Sequence, residues 1–265
     1  MNGKETMKKL QTVTCQVCGK PVEVQDVTDA IGEGPLAQAM RTALLSIAPA
    51  QVHDTKLEGE EGPTCLEILT ARKRAEQEQY YVEARKQGLA LVVPAEYQNT
   101  DPKHPEMNTA PALEALSWTW GRIGLLLKGA TGRAKSRCAY TILYREYMSG
   151  RTCEQFSAGE WEGRCRVASY DGRAFDRWLH RVKTCEVLLI DDLGKARLAY
   201  QDNEATRATE FMFDVLDSRG KYHLPTIVTT NMGAKEFKAK WGEHGFAFAR
   251  RLVTYCKPID FGGGV

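Results

Sequence analysis

No apolar run in the 265 residues approaches the roughly 20 that a membrane-spanning helix needs, which argues against a bilayer-crossing chain. Nor does an apolar stretch follow the basic residues of MNGKETMKKLQTVTC, so the pattern of a secretory signal is missing and a cytoplasmic location is expected. Surplus charge is scarce too: the formal net charge of +2 neither demands nor forbids a nucleic-acid partner. Internal repeats and low-complexity tracts are absent, which excludes a repeat array. What remains is an ordinary globular composition, 43% hydrophobic and 26% charged, long enough for one sizeable core and a small satellite. The eight cysteines are expected to stay reduced in that compartment.

The organisation follows from punctuation along the chain. Residues 1–66 carry a Cys-x2-Cys pair and the Gly-rich LEGEEGPTC but no long hydrophobic strand pattern, as in a small module that needs a staple. From Leu66 to about Gly88 the segment has no internal Gly or Pro and is rich in helix formers, which predicts a connecting helix. Residues 94–111 hold four prolines and read as a linker or extended strand, so the chain divides into an N-terminal module (1–66), a connecting helix and linker (67–110) and a second domain (111–265). Beyond the linker, apolar runs alternate with helical patterns: IGLLL, RVASY, VLLI and PTIVTT are each followed by an amphipathic segment. That alternation predicts an α/β domain with a mainly parallel sheet covered by helices.

The first of these strands runs straight into Lys128-Gly129-Ala130-Thr131-Gly132-Arg133-Ala134-Lys135-Ser136 and then a helical pattern. Phosphate oxygens need several backbone N–H donors converging on one point, with side chains small or absent, and a helix N-terminus adds a favourable dipole. Gly129 and Gly132 meet that need, Lys135 would reach the β and γ phosphates of ATP, and Ser136 would ligate Mg²⁺. Ala134 stands where the pattern places its second glycine; alanine is tolerable there if it already takes helical angles. Val187–Ile190 ending in Asp191-Asp192 supplies the other half: a buried strand fixes Asp191 at the sheet edge, where it can hold Mg²⁺ through water, while Asp192 would polarise the attacking water.

GLLLKGATGRAKS, VLLIDDLGK, SRGKYHLPTIVTTN and ARRLVTYCKPIDFGG follow one another in an order and spacing that resemble the DnaC/IstB-like branch of AAA+ ATPases over the last 150 or so residues. The resemblance implies an AAA+ P-loop core, with Thr230-Asn231 as the sensor 1 element and Arg251, or its neighbour Arg250, as a finger that enters the next subunit's site and so requires an oligomer. Asn231 could equally cap the helix that starts with MGAKEF. Arg219 also matches a family position; it precedes Gly220, which reads as a helix C-cap, so Arg219 could simply favour the helix end. The sequence stops soon after KPIDF, so no C-terminal helical lid and no sensor 2 residue are expected.

Cys15-x2-Cys18-Gly has the form of a zinc knuckle, and a structural Zn²⁺ site takes four ligands; the nearest additional candidates are His53 and Cys65. The alternative is a pair of reduced structural thiols. The other five cysteines, in the second domain, read as core or surface thiols. Some helicase loaders are similar in carrying a zinc-bearing N-terminal module, which implies a DnaC/DnaI-type loader that grips a hexameric replicative DNA helicase and engages single-stranded DNA. An IstB-like transposition helper, acting on duplex DNA with a transposase, is the alternative. A basic set, Arg164, Arg166, Arg173, Arg177, Arg181 and Lys183, surrounds Tyr170, Phe175 and Trp178 and could contact DNA, although Phe175, Trp178, Leu179 and Val182 recur at the spacing of a core-facing helix.

Overall fold

A computed structural model describes residues 10–25, 64–101, 104–167, 172–195 and 203–262. The chain divides into two compact units, Met1–Tyr81 and Val82–Val265. The first contains an antiparallel hairpin, β1 (Leu10–Thr14) and β2 (Pro21–Gln25), joined by a turn in which the Gly19 N–H donates to the Cys15 carbonyl. Helix α1 (Cys65–Val92) begins there on a reciprocal cap: the Thr64 hydroxyl accepts the Glu67 N–H at 3.2 Å, and the Glu67 carboxylate accepts the Thr64 N–H at 2.7 Å. Among the described residues no helix is long and apolar enough to cross a membrane.

The second unit is built on a five-stranded parallel sheet of order β4-β5-β6-β3-β7, formed by β3 (Gly124–Lys128), β4 (Cys153–Ser157), β5 (Val187–Asp191), β6 (Thr226–Thr230) and β7 (Cys256–Asp260). The runs GLLLK, VLLID and TIVTT lie in the sheet's interior and are buried on both faces, which is why they are continuously apolar or β-branched rather than alternating. Period-2 geometry sends Leu126, Leu188, Ile190 and Val228 into one core with Trp161, Trp178 and Phe248, and Leu125, Leu127, Leu189 and Ile227 into another with Ile142 and Leu143. The first core is covered by α5 (Ala158–Val167), α6 (Gly172–Thr184), α7 (Asn203–Lys221) and α8 (Ala234–Tyr255), the second by α3 (Ala110–Leu116) and α4 (Lys135–Met148).

Three expectations are corrected. The strand next to β5 is CEQFS, not RVASY: Phe156 points into the core at 1% exposure, whereas Arg166 and Val167 continue the helix that starts at Ala158. The proline-bearing stretch is not extended; it forms α2 (Ala95–Gln98), a 3-10 turn at Pro105–Met107 and the start of α3. Pro94, Pro105 and Pro111 occupy helix N-termini, where a missing N–H costs nothing, and Met107 and the preceding Val93 are fully buried. Finally, Gly220 is not a C-cap. Helix α7 continues to Lys221, and Gly220 makes room for the Tyr255 ring, which would lie 2.4 Å from any added Cβ.

Candidate nucleotide site

The loop after β3 turns on two glycines in backbone conformations that side chains rarely adopt, Gly129 at φ 144° and Gly132 at φ 77°. Its base is tied down at both sides: the Gly129 N–H donates to the Thr230 carbonyl at 3.2 Å and the Ala130 N–H to the Gly262 carbonyl at 3.1 Å. Ala134 does not take helical angles. It caps α4 in the left-handed region at φ 61° and ψ 13°, a conformation costing an alanine about 1–2 kcal/mol, so the second glycine of the pattern is a backbone requirement that this sequence meets under strain. Lys135 opens α4, and its Nζ donates to the Ala130 carbonyl across the loop at 2.8 Å.

Because β6 lies between β3 and β5, the end of β6 separates the loop from the two aspartates. Asp191 Oδ1 accepts from the Ser136 hydroxyl at 2.8 Å and from the Thr229 hydroxyl at 2.5 Å. Burial raises the Asp191 carboxyl above the usual range, and the bonds from Thr229 and Ser136 pull against that rise. Asp192 follows in the left-handed region at φ 53°, which aspartate tolerates better than most residues.

Thr131, Gly132, Arg133, Ala134, Lys135, Ser136, Asp192 and Asn231 line one cavity of about 240 Å³. Three residues that sequence reasoning missed share it: Arg137, which follows Ser136 on α4, and Tyr97 and Glu106 from the proline-bearing segment. Tyr97 stacks on Tyr140 with ring centroids 4.5 Å apart, and its hydroxyl is pushed up to about 12 by burial and then by the charges of Glu96, Asp191 and Asp192. Asn231 is exposed at the cavity and does not cap the following helix; Gly233 holds that place, its N–H donating to the Glu236 carboxylate. The donor set suits a phosphate chain and a hard cation: a glycine-turned loop at a helix N-terminus, one ammonium, a hydroxyl and a carboxylate sharing a hydrogen bond.

The remaining candidates lie elsewhere. Arg251 is held within its own chain, Nε donating to Asp217 Oδ1 at 2.7 Å and the guanidinium stacking over Phe213 at 4.7 Å. Arg250 is exposed and lines an apolar groove with Phe237, Phe246 and Val253. Arg219, 1% exposed, is a structural tie: it donates to the carbonyls of Val182, Cys185 and Pro225 and to the Thr226 hydroxyl, joining α6 and α7 to β6. Of the basic set, Arg181 pairs with Glu154 and Lys183 with Asp214, Arg164 stacks over Trp178 at 4.8 Å, and Arg173 and Arg177 are exposed. Phe175, Trp178, Leu179 and Val182 are buried as a core-facing stripe.

In the N-terminal unit, the thiols of Cys15, Cys18 and Cys65 all lie within 4.8 Å of one another. Partial burial, with hydrogen bonding to the thiols of Cys18 and Cys15, pushes the Cys65 thiol up to about 11. A tetrahedral Zn–S bond of about 2.3 Å sets sulfurs about 3.8 Å apart, so the cluster fits a zinc ion. His53 lies outside the described residues. The five cysteines of the second unit have thiols raised by burial, as core thiols do.

A family model described as IstB-like ATP binding protein matches residues 64–264. No curated protein sequence matches the chain. Among solved structures, DnaI is similar at 17% identity and a TM-score of 0.52, over 63% of this chain and 94% of that one. The DnaC helicase loader is similar at 19% identity and a TM-score of 0.48, over 63% and 98% respectively. AMPPCP-bound DnaA from Aquifex aeolicus is similar at 13% identity and a TM-score of 0.46 over 56% of this chain, which spans 43% of that protein's length.

Proposed function

Because the chain belongs to the IstB-like ATP-binding proteins, a family of AAA+ ATPases, we propose that it is a helicase loader that hydrolyses ATP in the cavity between Thr131 and Asn231 and delivers a replicative DNA helicase to single-stranded DNA. The observation that carries this reading is the three-thiol cluster in the unit that precedes the ATPase unit, since a zinc-stapled N-terminal module in front of such a core is the arrangement of a loader rather than of a transposition helper.

In this reading the backbone from Gly129 to Ser136, through Ala130, Thr131, Gly132, Arg133 and Ala134, wraps the phosphates, and Lys135 exchanges its bond to the Ala130 carbonyl for the β and γ oxygens. Mg²⁺ supplies neutralisation of the phosphate oxygens when it is bound at Ser136 and Asp191. Asp192 accepts a proton from the attacking water and Asn231 orients that water. The γ-phosphate charge is met by an arginine from the Arg250–Arg251 pair of a neighbouring copy; among the described residues Arg251 pairs with Asp217, whereas exposed Arg250 has no acid partner. Completion of the site between copies makes turnover depend on self-association. Arg164, Arg173 and Arg177 provide a basic face for the DNA backbone.

A second reading compatible with membership of the IstB-like ATP-binding proteins is a transposition helper acting on duplex DNA with a transposase. Affinity capture with the full chain and ATP separates the two. Recovery of a hexameric replicative helicase, identified by mass spectrometry, is the expected result; recovery of a transposase in its place overturns the loader reading.

A further inference from the structure

We propose that Thr229 is a positioning residue for both aspartates of the nucleotide site, a single buried hydroxyl that orients the side chain of one and the backbone of the other. The inference rests on the reading of Asp191 and Ser136 as the Mg²⁺-side groups.

Thr229 stands at the penultimate position of β6 and is wholly buried. The strand reads TIVTT, and a valine would satisfy the shape and β-propensity of this position as well as threonine does. A hydroxyl with no exposure costs free energy unless it is hydrogen-bonded, so its presence calls for partners. It has two. Thr229 Oγ1 accepts the N–H of Asp192 at 2.8 Å, and its own proton then goes to Asp191 Oδ1 at 2.5 Å. Asp191 Oδ1 accepts the Ser136 proton from the other side at 2.8 Å. The chain of bonds therefore runs from the Asp192 backbone through Thr229 to Asp191 and meets the hydroxyl of Ser136 at the same oxygen.

This arrangement has two effects. The Ser136 hydroxyl, its proton directed at Asp191, turns its lone pairs away from that carboxylate and toward the cavity it lines. The Asp192 backbone is held in its left-handed conformation by an anchor on its N–H, which is how a strained residue at a site persists. Strand order makes the bridge possible: β6 lies between β3 and β5, with Leu127 opposite Thr229 and Ile190 opposite Val228. A side chain from β6 is thus the natural tie between the loop after β3 and the acids after β5.

The test compares Thr229→Val, which keeps the shape and removes the hydroxyl, with Thr229→Ser, which keeps the hydroxyl. Binding of a fluorescent ATP analogue is titrated with Mg²⁺ and, separately, in EDTA, with thermal unfolding followed in parallel. The Mg²⁺ concentration giving half-maximal effect rises about tenfold in the valine variant, as for loss of a partner behind a metal ligand, and the serine variant stays near wild type. In EDTA all three proteins bind the analogue within about twofold of one another. A wild type whose binding responds to Mg²⁺ and a Thr229→Val protein that responds identically overturn this inference alone. The same holds if valine weakens binding equally with and without Mg²⁺ while lowering thermal stability, because that is the signature of a packing role. A wild type indifferent to Mg²⁺ overturns the metal reading of Asp191 and this inference with it.

Discussion

Ala134→Gly is expected to stabilise the protein, in line with the preference for glycine over alanine at a helix N-cap. Ala134 sits at φ 61° and ψ 13°, and the left-handed region costs a Cβ-bearing residue about 1–2 kcal/mol that glycine does not incur. Glycine also gives the unfolded chain more freedom, which offsets about 0.4–1 kcal/mol. The difference leaves a net gain of about 0.5–1 kcal/mol, which for a unit of this size corresponds to a rise in Tm of about 1–4 °C. Ala134 lines the nucleotide cavity through its backbone turn, so analogue binding should be retained or tightened in the same variant. Urea denaturation and thermal unfolding of wild type and variant read the effect directly, and Ala134→Val supplies the opposite sign, since a β-branched residue tolerates this region worst. An Ala134→Gly protein no more stable than wild type would refute the claim that this loop carries backbone strain.

Other outcomes follow from the same geometry. Arg219→Met removes donors from three buried carbonyls and should cost about 3 kcal/mol or more in urea denaturation; a loss under about 1 kcal/mol would mean those carbonyls find other partners. Protein purified under reducing conditions should carry one zinc per chain by elemental analysis and lose it in Cys15→Ser or Cys65→Ser, whereas a zinc content that these substitutions leave unchanged contradicts the thiol site. Asp217→Ala should change stability by less than about 1 kcal/mol, because its pair with Arg251 is partly exposed. If Arg250 is the residue that reaches the neighbouring copy, Arg250→Ala abolishes turnover with analogue binding intact; loss of turnover in Arg251→Ala alone reverses that assignment.

Much of the second unit was legible in the sequence because its strands are short, buried on both faces and bounded by chemistry-bearing loops. Gly129 to Ser136 and Asp191-Asp192 follow apolar runs that read as strands, and the structure places them at the ends of β3 and β5, on either side of β6 in one parallel sheet. CEQFS escaped notice because only Phe156 is fully buried on that edge strand, so its pattern is weak, while RVASY imitates a strand although its first two residues, Arg166 and Val167, belong to α5. Prolines mark both linkers and helix starts, and without knowing that Val93 and Met107 are buried the linker reading was the natural one. That same misreading hid Tyr97 and Glu106 from the site. Thr229 was hidden for another reason: a threonine in a strand signals β-propensity first, and only the register against β5 shows that its hydroxyl faces two aspartates.

The central claim is that this cavity turns over ATP and is completed between copies of the chain. ATP hydrolysis measured per chain across a range of protein concentrations, with single-stranded DNA present, tests it most directly. The account predicts a specific rate that rises with concentration, vanishes in Lys135→Ala and falls at least about a hundredfold in Asp192→Asn, as loss of a positioned general base does. A rate independent of concentration, or one that survives in Lys135→Ala, would contradict it.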